Sequence, residues 1–418
     1  MTNHQDSWDL IVVGGGAAGF FTAITCAEEA PGARILILEQ GKEVLNKVRI
    51  SGGGRCNVTH ACFDPNELVD YYPRGQKALL GPFHHFCTGD TVAWYEDRGV
   101  PLKIEEDGRM FPQSDSSQSI IDCLQKAARS SNIRVQTQSR VVQFYPPESK
   151  GQPWKVMLQS GQDYYAPHLL IASGSSKKVW DLIGHLGHKM VPPVPSLFTF
   201  NCKDERIQGL PGLSVPQAQV DILDTDFEAS GPLLITHWGF SGPGVLKLSA
   251  WAARDLHKME YRFRITINWV ADQSIDWSSW WQDKRQQQGK KKIQTDKSFG
   301  LPGRLWERLV AAADIRPEQK WAELSKAQQQ ALETEITAGE YLIQGKSTFK
   351  EEFVTAGGIH LDEVNFKSFS SRIHRGLHFA GEVLNIDAVT GGFNFQAAWT
   401  GGFLAGQAIA KGIKKDRA

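Results

Sequence analysis

Four uninterrupted apolar positions, Leu10-Ile11-Val12-Val13, open the first patterned stretch of the chain. Six small residues, Gly14-Gly15-Gly16-Ala17-Ala18-Gly19, follow, and Phe20 to Ala30 is then rich in apolar and helix-compatible residues. The first run predicts a buried strand and the second a helix, while Arg34 to Leu38 predicts another buried strand. Together they read as strand, glycine turn, helix, strand.

Further along, Thr88 to Arg98 and residues 119–129 have helical spacing, and 134–137, 140–145 and 154–159 alternate like strands. Tyr165 to Gly174 reads as one buried strand ending in Ala172-Ser173-Gly174. The prolines of Val191-Pro192-Pro193-Val194-Pro195 predict a break in regular structure and the exit from a first domain. Short strand patterns at 198–201, 219–223 and 261–269 predict a small barrel or sandwich, and residues 272–338 turn helical, as at Leu301 to Ala313. The chain then returns to the first domain. Phe353 to Gly358 closes the insertion, Gly376 to Glu382 is a strand with an acidic end, and the glycine turn Thr390-Gly391-Gly392 opens a terminal helix.

The chemistry lies in the turns. Gly14 permits a tight turn, Gly16 lets backbone approach a pyrophosphate, and Gly19 lets the helix pack on the strand, with Ala17 and Ala18 between them. Glu39, at the end of the second strand, is placed to accept hydrogen bonds from a ribose. Ser51-Gly52-Gly53-Gly54-Arg55-Cys56-Asn57 sets bare backbone N–H groups beside Arg49 and Arg55, suited to a flat anionic cofactor. Ser173 and Gly174 leave room above a strand end, and Gly381, Glu382 and Asp387 are expected to reach the middle of the cofactor. A helix opening at Gly391-Gly392-Phe393-Asn394 would aim its positive end at the far ring; for a flavin this stabilises negative charge at the N1/O2 edge. FAD therefore fits better than NAD. Gln40, Lys47 and Val142 complete the expected cofactor contacts.

Composition narrows the partners. Lys+Arg 46 against Asp+Glu 46 supplies no global field for nucleic acid or anionic membrane, so small molecules are expected and nucleic acid is not. The basic run Lys290-Lys291-Lys292 reads as a solvated face. No secretory pattern opens the chain and no stretch is long enough to span a bilayer, which predicts a cytoplasmic protein. Six cysteines without a CxxC pair predict reduced thiols, and Cys56, His60 and Cys62 are too few donors for a metal, so none is expected. His237 and Cys56 are the candidate catalytic residues, each with a plain packing role as its alternative. No second GxGxxG appears, so a nicotinamide donor would be a transient visitor.

Val48 to His60, Leu233 to Ala250 and Leu377 to Gly402 resemble the BaiN/YhiN-type family of NAD(P)/FAD-dependent oxidoreductases, with similarity from about residue 9 to 410. The resemblance implies an α/β fold: a split Rossmann-like FAD-binding domain of the two-dinucleotide type, carrying an inserted β-barrel and a small helical subdomain. The expected boundaries are 1–193 with 355–418 for the cofactor domain, 194–271 with 339–354 for the barrel, and 272–338 for the helices. The implied function is FAD-dependent oxidoreduction of a small organic substrate, with NAD(P)H as a possible donor. Two alternatives stay open: a nucleic-acid-binding or -modifying flavoprotein using residues 284–292, and a flavin monooxygenase.

Overall fold

The computed structural model describes residues 7–149, 151–347 and 354–417. The chain divides into two compact units, Met1–Val194 with Lys350–Ala418, and Pro195–Phe349.

In the first unit, β1 (Leu10–Val13), α1 (Ala17–Glu29) and β2 (Ile35–Leu38) form the expected βαβ element. A broken helix α2 (Asn46–Gly54) follows, then β3 (Arg134–Gln136), β4 (His168–Ile171), β5 (Leu377–Phe379) and the terminal helix α3 (Phe393–Arg417). The five strands lie parallel in the order β3-β2-β1-β4-β5, extended past β5 by two short antiparallel pairs. Every residue of β1 and β2 is buried, as a sheet covered on both faces requires. The order reverses direction between β1 and β4, and such a sheet binds ligands beyond the carboxyl ends of the strands at that reversal.

Two sequence expectations are corrected here. Residues 165–174 are two strands, because Pro167 divides Asp163–Ala166, in a three-stranded antiparallel sheet, from β4 in the parallel one. The proline-rich stretch is not a break: Met190–Ser196 is itself a strand, paired with Val354–Ile359 in a two-stranded sheet. Met190–Ser196, which carries the prolines, neighbours only that one strand and so lies at a sheet edge, where proline is tolerated.

α3 packs along α1. A Cβ on Gly402 would lie 3.0 Å from the Ala18 carbonyl oxygen, and one on Gly406 would lie 2.7 Å from the Thr25 Cβ. The two helices therefore run parallel, with glycine allowing the close approach. Gly402 is the tenth residue of α3 and stands between the second and the sixth of α1. Gly406, the fourteenth, stands between the sixth and the ninth, so at 1.5 Å per residue the N-terminus of α3 leads that of α1 by roughly 9 Å.

In the second unit seven strands follow the order 339–344, 262–268, 214–222, 228–235, 239–241, 199–201, 346–347. The first and last are one stretch of chain bent at Gly345 (φ 146°), so the sheet closes on itself as a barrel. The helices Trp277–Gln288, Gly303–Ala312 and Lys326–Thr337 belong to the same unit. Ile293, Leu305, Trp306, Trp321 and Leu332 share one apolar core with Phe200, Val220, Ile265 and Tyr341 of the strands. The expected end of the insert, 348–353, and Phe353 of the expected return segment lie outside the described residues.

Candidate functional site

The site is built where α1 and α3 begin. Gly14 (φ 115°) donates its N–H to Leu38 O at 2.8 Å, and a Cβ there would come within 2.3 Å of Ala172 O. A Cβ on Gly19 would come within 2.1 Å of Gly14 O. Internal packing thus explains both glycines. Gly16 is different: its φ of −92° suits any residue, and a Cβ there meets nothing within 4 Å. The open space lies at the N-terminus of α1, where no side chain caps the helix and the N–H groups of Ala17, Ala18 and Gly19 have no acceptor among the described residues. Unsatisfied N–H groups at a helix start form an anion site. Ser173, at the end of β4, has a buried Oγ without a hydrogen-bond partner. An orphaned hydroxyl beside that space is what a bound pyrophosphate or ribitol would satisfy.

Glu39 occupies the expected position. Its Oε2 accepts the Gly15 N–H at 2.8 Å and its Oε1 the Gly41 N–H at 2.7 Å, which hold the carboxylate rigid at the strand end. Gln40 is exposed beside it, and Val142 falls at a bulge where pairing steps from Val141 to Gln143. Gly381 (φ 76°) approaches α1 closely, since a Cβ there would lie 3.0 Å from the Ala18 Cβ. Glu382 pairs with Lys47 and accepts the Thr355 N–H at 3.0 Å, with Gly174 alongside.

α2 breaks at Ser51 (ψ 148°), after which Gly52, Gly53 and Gly54 all have positive φ. Gly53 and Gly54 are exposed with open space where a Cβ would be. Asn57 joins this turn to α3: with its oxygen toward the Gly392 N–H (3.0 Å), its amide donates to Thr59 O (3.0 Å) and Met110 O (3.3 Å). The N–H groups of Phe393, Asn394 and Phe395 have no acceptor among the described residues, so the start of α3 repeats the anion-binding character of α1.

Several side chains at the expected positions are engaged by partners within the protein. Arg55 was expected to supply positive charge; it is bound by Glu105 at 2.5 Å, lies 3.5 Å from Asp115 and stacks over Phe111. Arg49 faces Gln118 and Glu43. Asp387 was expected at the middle of the cofactor; its fully buried carboxylate is gripped by Arg74, whose Nε donates to Oδ1 at 2.5 Å and whose Nη2 donates to Oδ2. The Asn394 amide is spent at both ends on the Ala388 backbone, at 3.0 and 3.1 Å. Gly391 and Gly392 are fixed by packing, a Cβ on Gly392 lying 2.5 Å from Thr59 O. The Phe393 ring is buried against Tyr71 (4.1 Å, stacked) and His60 (4.5 Å, stacked).

The two catalytic candidates stand in different surroundings. Cys56 is buried, and burial pushes its thiol up to about 12, so it carries no thiolate near neutral pH. His237 is exposed on the hairpin turn between 228–235 and 239–241, one strand before the helix that the sequence placed directly after it. Sequence reasoning missed Arg74 and Tyr71 and weighed His60 only as a metal donor. His60 donates its Nδ1–H to Gly391 O at 3.1 Å, and burial holds its imidazole below the usual range. Arg74 and Asp387 lie 313 residues apart and carry no pattern that links them.

The two helix starts, the Gly16 opening and the strand order define a Rossmann-type FAD-binding fold. The model of the HI0933-like protein Rossmann domain matches residues 8–408, and the chain belongs to that family. A ribosomal RNA dihydrouridine synthase of Escherichia coli (strain K12) is 27% identical over 415 residues, covering 96% of this chain and 98% of that protein. A 3-dehydro-bile acid delta(4,6)-reductase of Clostridium scindens is 28% identical over 413 residues, with the same coverage. Among solved structures, a 3-ketosteroid-delta4-(5alpha)-dehydrogenase from Rhodococcus jostii RHA1 shares the fold at 13% identity, with a TM-score of 0.52 and 98% of each chain covered. These matches make the chain a member of a flavoprotein oxidoreductase family. No helix among the described residues is long and apolar enough to cross a membrane.

Proposed function

We propose that this protein is an FAD-dependent reductase that saturates an electron-poor carbon–carbon double bond. The observation that carries the cofactor is the pair of parallel helix starts roughly 9 Å apart along one direction, one of them facing the Gly16 opening. The α1 N–H groups would hold the pyrophosphate, Glu39 the adenosine ribose, and Ser173 Oγ the chain between pyrophosphate and ring. The unsatisfied N–H groups of Phe393 to Phe395 would stabilise negative charge on the far ring edge without a side-chain acid. FAD, once reduced by a two-electron donor such as NAD(P)H, supplies hydride to one carbon of the double bond while a proton reaches the other, so that two electrons and two protons convert C=C to CH–CH. Double-bond reduction is favoured because both relatives' names describe it, one forming a dihydrouridine and the other acting at delta(4,6).

The test is a reoxidation screen. Purified protein should release FAD, and the dithionite-reduced, anaerobic protein should be reoxidised by an acceptor with a conjugated carbonyl, with one saturated product per flavin. Uridine-containing RNA and 4-androstene-3,17-dione are the first two acceptors to try. If only oxygen reoxidises the flavin and hydroxylated product appears, the reductase reading is wrong and a monooxygenase replaces it.

A further inference from the structure

Between positions 284 and 297 stand six basic residues, Lys284, Arg285, Lys290, Lys291, Lys292 and Lys297, against one carboxylate, Asp296, in a chain whose charges sum to zero. Folding adds a seventh. The bridge between Lys292 and Lys320 is flanked by Ile293 N–H to Gln319 O (3.0 Å) and Trp321 N–H to Lys291 O (3.2 Å), which brings Lys320 beside the run. Two of the seven are neutralised, Lys284 by Asp296 at 2.6 Å and Lys292 by Glu318 at 2.5 Å. Arg285 donates to the Leu324 carbonyl and keeps its charge. Lys290, Lys291, Lys297 and Lys320 are exposed with no carboxylate at ion-pair distance among the described residues; Glu323 meets only the Lys320 backbone N–H.

The same segment carries aromatic faces. Trp277, Trp280, Trp281 and Phe299 are half-buried; Trp280 is engaged by Phe299 (4.9 Å, stacked) and the Lys284 ammonium (5.2 Å), while Trp277 and Trp281 stack on each other (5.8 Å) and remain partly exposed. Trp280 meets the edge of the buried Trp321, which adjoins Lys320 in the chain and bonds to Lys291, so the indoles and the free ammonium groups share one patch. Free cations beside half-open aromatic rings complement a strand with phosphates and exposed bases.

We infer that this face of the second unit docks single-stranded RNA. The inference deepens the double-bond reductase reading and rests on it for the choice of RNA over other polyanions, since the relatives bearing the ribosomal RNA name match nearly the full chain.

The experiment compares the holoprotein with a Lys290→Gln/Lys291→Gln/Lys320→Gln variant, using a fluorescently labelled uridine-rich 20-mer as probe and heparin as competitor. Wild type should bind with salt-dependent affinity and lose tryptophan fluorescence as bases stack. The variant should bind at least tenfold more weakly, with a log–log salt slope shallower by about 2, while FAD content and dithionite reduction stay unchanged. Equal binding by wild type and variant overturns the docking face and leaves the reductase reading intact. Binding without quenching, matched by heparin, overturns RNA as the occupant. No binding of wild type at 50 mM salt also overturns the inference, and reoxidation by 4-androstene-3,17-dione in the same preparation would show that the reductase reading survives.

Discussion

Replacing Gly16 by Ala should separate folding from cofactor binding. The added methyl meets no atom within 4 Å, and φ −92°, ψ −170° is an ordinary extended conformation for alanine. Losing a glycine N-cap costs a few tenths of a kcal/mol or more, and the reduced freedom of the unfolded chain returns about 0.4–1 kcal/mol. The apoprotein should therefore melt within about 2–4 °C of wild type. FAD binding is another matter, because the methyl occupies the opening in front of the α1 N–H groups. If two charge-assisted hydrogen bonds to the pyrophosphate are lost, at about 1.5–3 kcal/mol each, affinity falls by on the order of 10² to 10⁴-fold. Flavin fluorescence titration of the apoproteins measures the affinity, and thermal unfolding of the same samples measures the fold. Gly14→Ala is the contrast: its Cβ strikes the Ala172 carbonyl and its φ is 115°, so the apoprotein itself should be destabilised. Unchanged FAD affinity in Gly16→Ala would refute the placement of the pyrophosphate at α1.

Acid should weaken the first unit through His378, which burial and the neighbouring His168 hold down to about 3. Below pH 6.5 the unfolded chain takes up a proton that the fold refuses, so stability present above that pH is lost as pH falls toward 3, by up to about 1.4 kcal/mol per pH unit; urea midpoints between pH 7.5 and 5 should fall less steeply in His378→Leu than in wild type, and equal slopes would count against this account. Arg74→Met removes the guanidinium from the buried Asp387 carboxylate and should cost about 3–5 kcal/mol in urea unfolding, with partial recovery on adding Asp387→Leu; a loss below 1 kcal/mol would show that other neighbours carry the carboxylate. All six cysteines are buried and free, so native alkylation at pH 8 should leave Cys56 unmodified, and anaerobic titration should take two electrons per FAD; four would reveal a second redox centre.

The βαβ element was legible because its signals are local: β-branched runs, glycines at fixed spacing and Glu39 all lie within thirty residues. Gly14 reads as a turn glycine and Gly19 as a packing one, yet only the structure shows that of Gly14, Gly16 and Gly19 it is Gly16 that lacks an internal reason to be glycine. The proline stretch misled because proline forbids a central strand but not an edge one, and edge status is a tertiary fact. At Arg55 and Asp387 the sequence hid the partner for a shared reason. A charged residue beside a motif says nothing about which distant partner claims it, and Glu105 and Arg74 were the claimants. Barrel closure at Gly345 left no mark beyond one glycine.

The parallel packing of α1 and α3 also sets a timetable. α1 leaves the ribosome early, while the helix that covers it begins at Phe393, 364 residues after α1 ends at Glu29. At about 5–20 residues per second the interval is roughly 20–70 seconds. Throughout it Ala18, Phe21, Thr22 and Thr25, which α3 covers in the finished protein, lack their final cover. Holding a nascent chain soluble over that interval is work for a chaperone, and a prematurely released chain would present the same surface to a protease.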